Sequence, residues 1–208
     1  MIKFAPEGYP FILVFVIITV VVGYCAGPFF AIPPVLLTFF MFYFFRDPER
    51  DVPVENDVFV SPADGKVFLI RDVTESKYIH AEMKEISIFM SPLDVHVNRV
   101  PCDGTVKKVT HNMGCFAAAY KEDSSITNEN IEMVLETSYG DILVRQVAGF
   151  VARRAVCRKK EGERLVRGER YGMIKFSSRL DIYLPRNVTL NVKLGDKVRA
   201  GETLLAKV

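Results

Sequence analysis

Tryptophan is absent from this chain of 208 residues, histidine occurs three times, cysteine four times, and the formal net charge is only +2. Each scarcity excludes something. Near-balanced charge, with no basic stripe interleaved with aromatics, removes the argument for a nucleic-acid partner. Cys25, Cys102, Cys115 and Cys157 contain no C-x-x-C pair. Neither a zinc knuckle nor a disulfide framework is therefore expected, no metal site is assigned, and the compartment reads as reduced. No G-x-S-x-G elbow occurs either, which weighs against the commonest serine-hydrolase architecture.

Charge is missing altogether from Phe11 to Phe45. One membrane-spanning helix needs roughly 20 apolar residues, and this run is longer. Gly23, Gly27 and Pro28 interrupt it, so it reads as two short apolar helices joined by a tight turn, with Pro33 and Pro34 tolerated in the first turn of the second. Lys3 precedes the run, and Arg46 and Arg50 follow it. Positive charge at both ends places both on the cytoplasmic face, whether the hairpin crosses twice or dips into one leaflet. Residues 1–46 are thus expected to form a membrane-anchoring helical hairpin, and residues 47–56 a linker.

From residue 57 to 208 the pattern changes to short strands punctuated by glycine: "GKVFLIRDV", "EISIFM", "GTVKKVT", "DIYLP". Ser138 to Asp141 reads as a hairpin turn, and only "AGFVARRAVC" hints at a short helix. The fold class is mainly β (α+β). Two internal echoes accompany it: "PADGKV" with "PCDGTV", and "GERLVRGE" with "GDKVRAGE". Such glycine turns suit a flattened, barrel-sandwich-like domain of the biotinyl- or lipoyl-carrier kind, but no modifiable lysine sits at a hairpin tip. Asp-Gly and Gly-Asp turn chemistry explains Asp103.

The stretch "YGMIKFSSRLDIYLP" sets two serines, Ser177 and Ser178, at the mouth of a strand. Three chemistries are open to Ser178. It can cap the strand by local hydrogen bonds. It can attack an external acyl group with Lys175 as base, as a membrane-anchored hydrolase would. Or it can attack the carbonyl just before it and break its own chain. A fourth reading makes the whole chain a non-enzymatic, membrane-tethered β adaptor.

Several separated motifs follow one another along the chain. The apolar hairpin ends in "FFRDPER", followed by "SPADGKV", "MSPLDVHVNRVPCDG", "VRQVAGFVARRAVC" and "GERYGMIKFSSRLDIYLP". Over nearly its whole length the chain resembles the short-form, pyruvoyl-dependent phosphatidylserine decarboxylases, including those acting on archaetidylserine. That resemblance implies cleavage between Ser177 and Ser178, with Ser178 becoming a pyruvoyl group and no need for metal or pyridoxal phosphate. The ketone would form a Schiff base with the serine headgroup of a phospholipid and release carbon dioxide, leaving the ethanolamine lipid. The family's catalytic histidine falls on His96 and the aspartate of its "P-x-D-G" motif on Asp64, an orienting carboxylate for the imidazole. His80 and His111 read as structural. Arg153 and Arg154 are candidates to grip the lipid phosphate. The implied setting is the cell membrane, with the catalytic domain cytoplasmic, a bilayer as partner, and room for a homo-oligomer.

Two departures from the family's pattern stand out. Residue 177 is serine where glycine is usual, and glycine more readily adopts the strained backbone an acyl shift needs. Arg99 stands where longer members carry a second histidine.

Overall fold

The computed structural model describes residues 3–114, 128–149, 155–175 and 178–208. It divides into two units, Met1–Glu49 and Arg50–Val208. The expected linker is therefore split: residues 47–49 go with the helices and Arg50 onward with the sheets.

In the first unit, α1 (Tyr9–Ala26) and α2 (Ile32–Phe44) form the hairpin. Gly27 ends α1 at φ +94°, a conformation open to glycine, and Pro33 and Pro34 fall in the first turn of α2, where missing N–H groups cost nothing. The helices meet through Thr19 and Thr38, whose hydroxyls lie 3.0 Å apart while each bonds its own helix at Phe15 O and Pro34 O. Such small polar contacts hold apolar helices together where no hydrophobic contrast exists. Lys3–Phe4 pairs antiparallel with Arg46–Asp47, closing the unit's ends. Leu13, Ile17, Val20, Leu36 and Phe39 point outward, exposed. Of the described helices, the segment Pro6–Ala26 is long and apolar enough to cross a membrane, whereas α2 is shorter. At 1.5 Å per residue, α2 reaches roughly 20 Å, short of the ~30 Å hydrocarbon core.

The second unit is built on an eight-stranded sheet. Its strands are β1 (Gly65–Glu75), β2 (Ala81–Met90), β3 (Gly104–Asn112), β4 (Asn130–Thr137), β5 (Gly140–Ala148), β6 (Arg164–Leu165), β7 (Ser178–Pro185) and β8 (Lys197–Val198), in spatial order β6-β3-β4-β5-β7-β2-β1-β8. Every pairing is antiparallel. The β4–β5 hairpin turns at Ser138 and Tyr139, with Thr137 opposite Gly140, as the sequence predicts. One face carries the apolar core, including Val67, Ile86, Ile88, Met133, Ile142, Val144, Leu180 and Ile182.

Both sequence echoes are structural. Val67 donates to Asp196 O and Gly195 to Val67 O; in parallel, Val106 donates to Glu163 O and Gly162 to Val106 O. Gly162, Gly168, Gly195 and Gly201 all lie at positive φ. Each Asp-Gly turn therefore starts a long strand (β1 or β3), and each glycine-bounded segment returns to pair with it (β8 or β6). The short helix expected over "AGFVARRAVC" is corrected in part: Ala155–Cys157 is a strand paired with Gly172–Ile174. Cross-strand pairing there outweighs weak helical propensity.

Candidate active site

Ser178 opens β7, the strand held on both sides: it faces Met90 of β2 and Ala148 of β5. Alternation along β7 sends Ser178, Leu180 and Ile182 to the core face. The serine is fully buried, and among the described residues its Oγ has no hydrogen-bond partner. A strand-capping serine would use that oxygen on nearby backbone. Among the described residues the hydroxyl is instead left unbonded, an arrangement that costs stability unless the group has another use. Ser177 lies outside the described residues, as do Arg153 and Arg154.

His96 is also fully buried. It precedes the short strand Val97–Arg99, which pairs with Arg170–Ile174, and its carbonyl accepts from Ile174 N–H at 3.3 Å, four residues before Ser178. Strand alternation puts His96 and Asn98 on one side, and the Asn98 amide reaches Met90 Sδ, on the residue opposite Ser178. The imidazole Nδ1 lies 3.0 Å from Asp94 O. A carbonyl can only accept, so Nδ1 carries the proton and, in the neutral ring, Nε2 is the basic nitrogen. The turn that supplies this carbonyl is fixed by Asp94 itself, whose side chain accepts from Ser91 N–H.

Asp64, the expected orienter of the imidazole, has a defined set of partners. Its carboxylate takes two bonds from Arg50 Nη2, at 2.9 and 2.7 Å, and one from Ala200 N–H at 2.8 Å. In the other echo, Asp103 accepts from Arg167 N–H at 2.7 Å. Asp64 and Asp103 thus perform the same turn-closing task, with Arg50 added at Asp64. The hydrogen bonds described for Asp64 run to Arg50 and Ala200, and the tautomer of His96 is set by the Asp94 carbonyl. Burial raises the Asp64 pKa above 3.8, with Arg50 and the Ala200 amide pulling it back and Asp94 adding to the rise. Arg99, in place of a second histidine, is structural: it donates to Gly168 O at 2.8 Å, and its stem lies where a Cβ on Gly201 would come within 2.9 Å. His111 pairs with Glu129 at 3.0 Å, and His80 occupies a positive-φ position.

Residues 37–206 match the family model described as phosphatidylserine decarboxylase. The chain belongs to the phosphatidylserine decarboxylase family. Two relatives, each called a phosphatidylserine decarboxylase proenzyme, are 46% identical to it. The protein from Geotalea uraniireducens aligns over 202 residues, 97% of this chain and 94% of its own length. The protein from Pelobacter propionicus aligns over 210, or 97% and 95%. The decarboxylase reading therefore stands, and the adaptor and hydrolase readings fall away.

The opposite face of this decarboxylase's sheet holds what the sequence reading missed. Arg179, Asp181 and Tyr183 alternate with the core residues of β7, yet they too are buried. Arg179 bonds Asp181 at 2.5 Å, Ser87 at 3.0 Å and Glu85 at 3.3 Å, and its guanidinium lies 5.0 Å from the Phe68 ring centre. Burial raises the Asp181 pKa; Arg179 opposes the rise and Glu85 reinforces it. Beyond them a cleft of about 520 Å³ is lined by Arg71, Lys77, Arg145, Glu85 and Glu132 among others. Arg71 bonds Glu85 at 2.6 Å, while Lys77 and Arg145 bond Glu132 at 2.5 and 2.9 Å. Burial alone would raise the Glu132 pKa, but Lys77, Arg145, Tyr78 and Asn112 together bring it below 4.5. The face is a self-neutralised ionic layer, turned away from Ser178.

Proposed function

We propose that this chain is a membrane-bound serine-phospholipid decarboxylase that makes its own pyruvoyl group from Ser178. The observation that carries the reading is the buried Ser178 hydroxyl, unpartnered among the described residues, at the mouth of a strand, on the sheet face reached by the His96–Asn98 segment. Ser178 Oγ attacks the carbonyl carbon of residue 177, its proton passing to His96 Nε2. The peptide C–N bond breaks as the nitrogen takes a proton, leaving an ester and a free amine at 178. Loss of the Cα proton then expels the residue-177 carboxylate from Cβ. The enamine left at 178 tautomerises to an imine, and water hydrolyses it to a ketone, releasing ammonia.

The residues present fit such a group. Ser178 is held by ladders to β2 and β5, which remain after the chain is cut in front of it. The ketone supplies an electron sink for the amine of a serine headgroup, in place of a dissociable cofactor. His96 Nε2 then hands a proton to the headgroup carbon that has lost carbon dioxide. Asp64 acts by position, tying Arg50 and the Gly201 turn near the Asp94 carbonyl on which His96 rests. Arg153 and Arg154 meet the lipid phosphate, and the α1–α2 hairpin holds the enzyme at the bilayer on the cytoplasmic side.

The test is product formation. Purified enzyme in lipid, given a serine phospholipid labelled at the headgroup carboxyl, is expected to release labelled carbon dioxide and leave the ethanolamine lipid. Absence of labelled gas from every serine lipid offered contradicts the reading.

A further inference from the structure

Next to Ser178, an apolar core face carries a pair of buried amides that the reaction sequence above does not use. Gln146 of β5 sits directly across from Leu180, so it lies diagonal to Ser178 on the same face. It is 1% exposed and Asn98 is 0% exposed. Gln146 Nε2 donates to Asn98 Oδ1 at 2.8 Å and to Val156 O at 3.3 Å. The Val156 carbonyl only accepts, so the amide orientation is fixed by chemistry: nitrogen faces Val156, and Oε1 points elsewhere. Among the described residues Gln146 Oε1 has no hydrogen-bond partner. Among the described residues the Asn98 amide nitrogen has only the thioether of Met90, at 3.7 Å, a weak acceptor.

The pair is built into the fold. Gly172 leaves room for it: a Cβ there would stand 2.9 Å from Gln146 Nε2 and 2.1 Å from Val156 O. A buried acceptor left unbonded destabilises the fold, and a leucine in its place would not. The site therefore suits a ligand that brings a donor. Beside the reactive residue, that donor is the nitrogen of the lipid headgroup.

We infer that Gln146 Oε1, held by Asn98, is the acceptor for the headgroup N–H, and that it selects primary-amine lipids over quaternary-ammonium ones. The inference rests on the decarboxylase reading of Ser178. A serine headgroup carries N–H bonds on its nitrogen, whereas a choline-type nitrogen carries none and leaves Oε1 unsatisfied. Gln146 is a recognition residue: it moves no proton.

The experiment uses mature enzyme whose ketone has been reduced with borohydride, so that it binds without turning over. Mass spectrometry of the 178–208 fragment gains two hydrogens if the pyruvoyl reading holds, independently of Gln146. Binding of glycerophosphoserine and of its N,N,N-trimethyl counterpart is then measured by calorimetry. The parent is expected to prefer the primary amine by about tenfold or more, the scale of one buried hydrogen bond, and Gln146→Met to lose that preference. Variants that mature incompletely are compared as Ser178→Ala precursors, and the Asn98→Leu/Gln146→Met pair replaces a single variant that fails to fold. A preference that persists without Gln146 is steric and overturns the inference, as does a parent with no preference.

Discussion

Replacing His96 with alanine is expected to slow appearance of the 178–208 fragment by about 100- to 10,000-fold, the usual contribution of a positioned general base. Any enzyme that does mature should decarboxylate slowly by a comparable factor. The expectation follows from geometry. Asp94 O holds the Nδ1 proton, and the bond from Ile174 N–H fixes the histidine backbone just upstream of the residue to be cut. No second histidine shares the load, because Arg99 is engaged at the Gly168 turn. A time course of fragment release, followed by mass spectrometry, measures the first effect, and labelled carbon dioxide measures the second. Parental rates in both would remove His96 from the chemistry.

Arg179→Met is expected to destabilise the sheet unit by about 3–5 kcal/mol, because it leaves the fully buried Asp181 carboxylate without its cation. The fall in Tm should be on the order of 10 °C. Arg71 still neutralises Glu85, so the loss concentrates at Asp181. The double variant Arg179→Met/Asp181→Leu should recover most of the loss, since a buried ion pair replaced as a unit by apolar side chains is often neutral. Melting curves of the Ser178→Ala precursor and its variants make the comparison on one intact chain. A single variant melting with its parent would mean that water reaches Asp181 and that the layer is not dry.

The parts of this fold legible in the sequence are those governed by local rules. The charge-free run from Phe11 to Phe45 and the break at Gly27 and Pro28 specify a hairpin without tertiary information. The repeated Asp-Gly and Gly-acidic patterns specify turns, and all four glycines of the second echo do lie at positive φ. The strand alternation of "RLDIYL" is equally plain. What it leaves open is that both faces are buried, because that depends on register: Asp181 stands opposite Ser87 and Tyr183 opposite Glu85. Glu85 on β2 thereby meets Arg179 on β7 and Arg71 on β1, while Arg145 on β5 meets Glu132 on β4, pairings invisible until the strands are aligned.

The site was legible unevenly. Ser178 and His96 stand in sequence motifs, and both prove to be fully buried polar residues. Asp64 is an expected orienter for His96 through the family's P-x-D-G motif. Its repeat partner Asp103 shows the turn-closing work that the same position does in both echoes. Asn98 and Gln146 lie 48 residues apart, in stretches where an amide looks like any strand polar residue. Only the close approach permitted by Gly172 brings them together.

Denaturing mass spectrometry of the protein matured in lipid tests the self-cleavage claim most directly. It should be run on this chain and on Ser177→Gly, whose freer backbone is expected to cut at least as fast. The predicted result is a fragment spanning residues 178 to 208, lighter than its encoded sequence by one ammonia and reactive toward borohydride. A folded, lipid-embedded protein that remains a single 23.5 kDa chain in both forms would contradict the account.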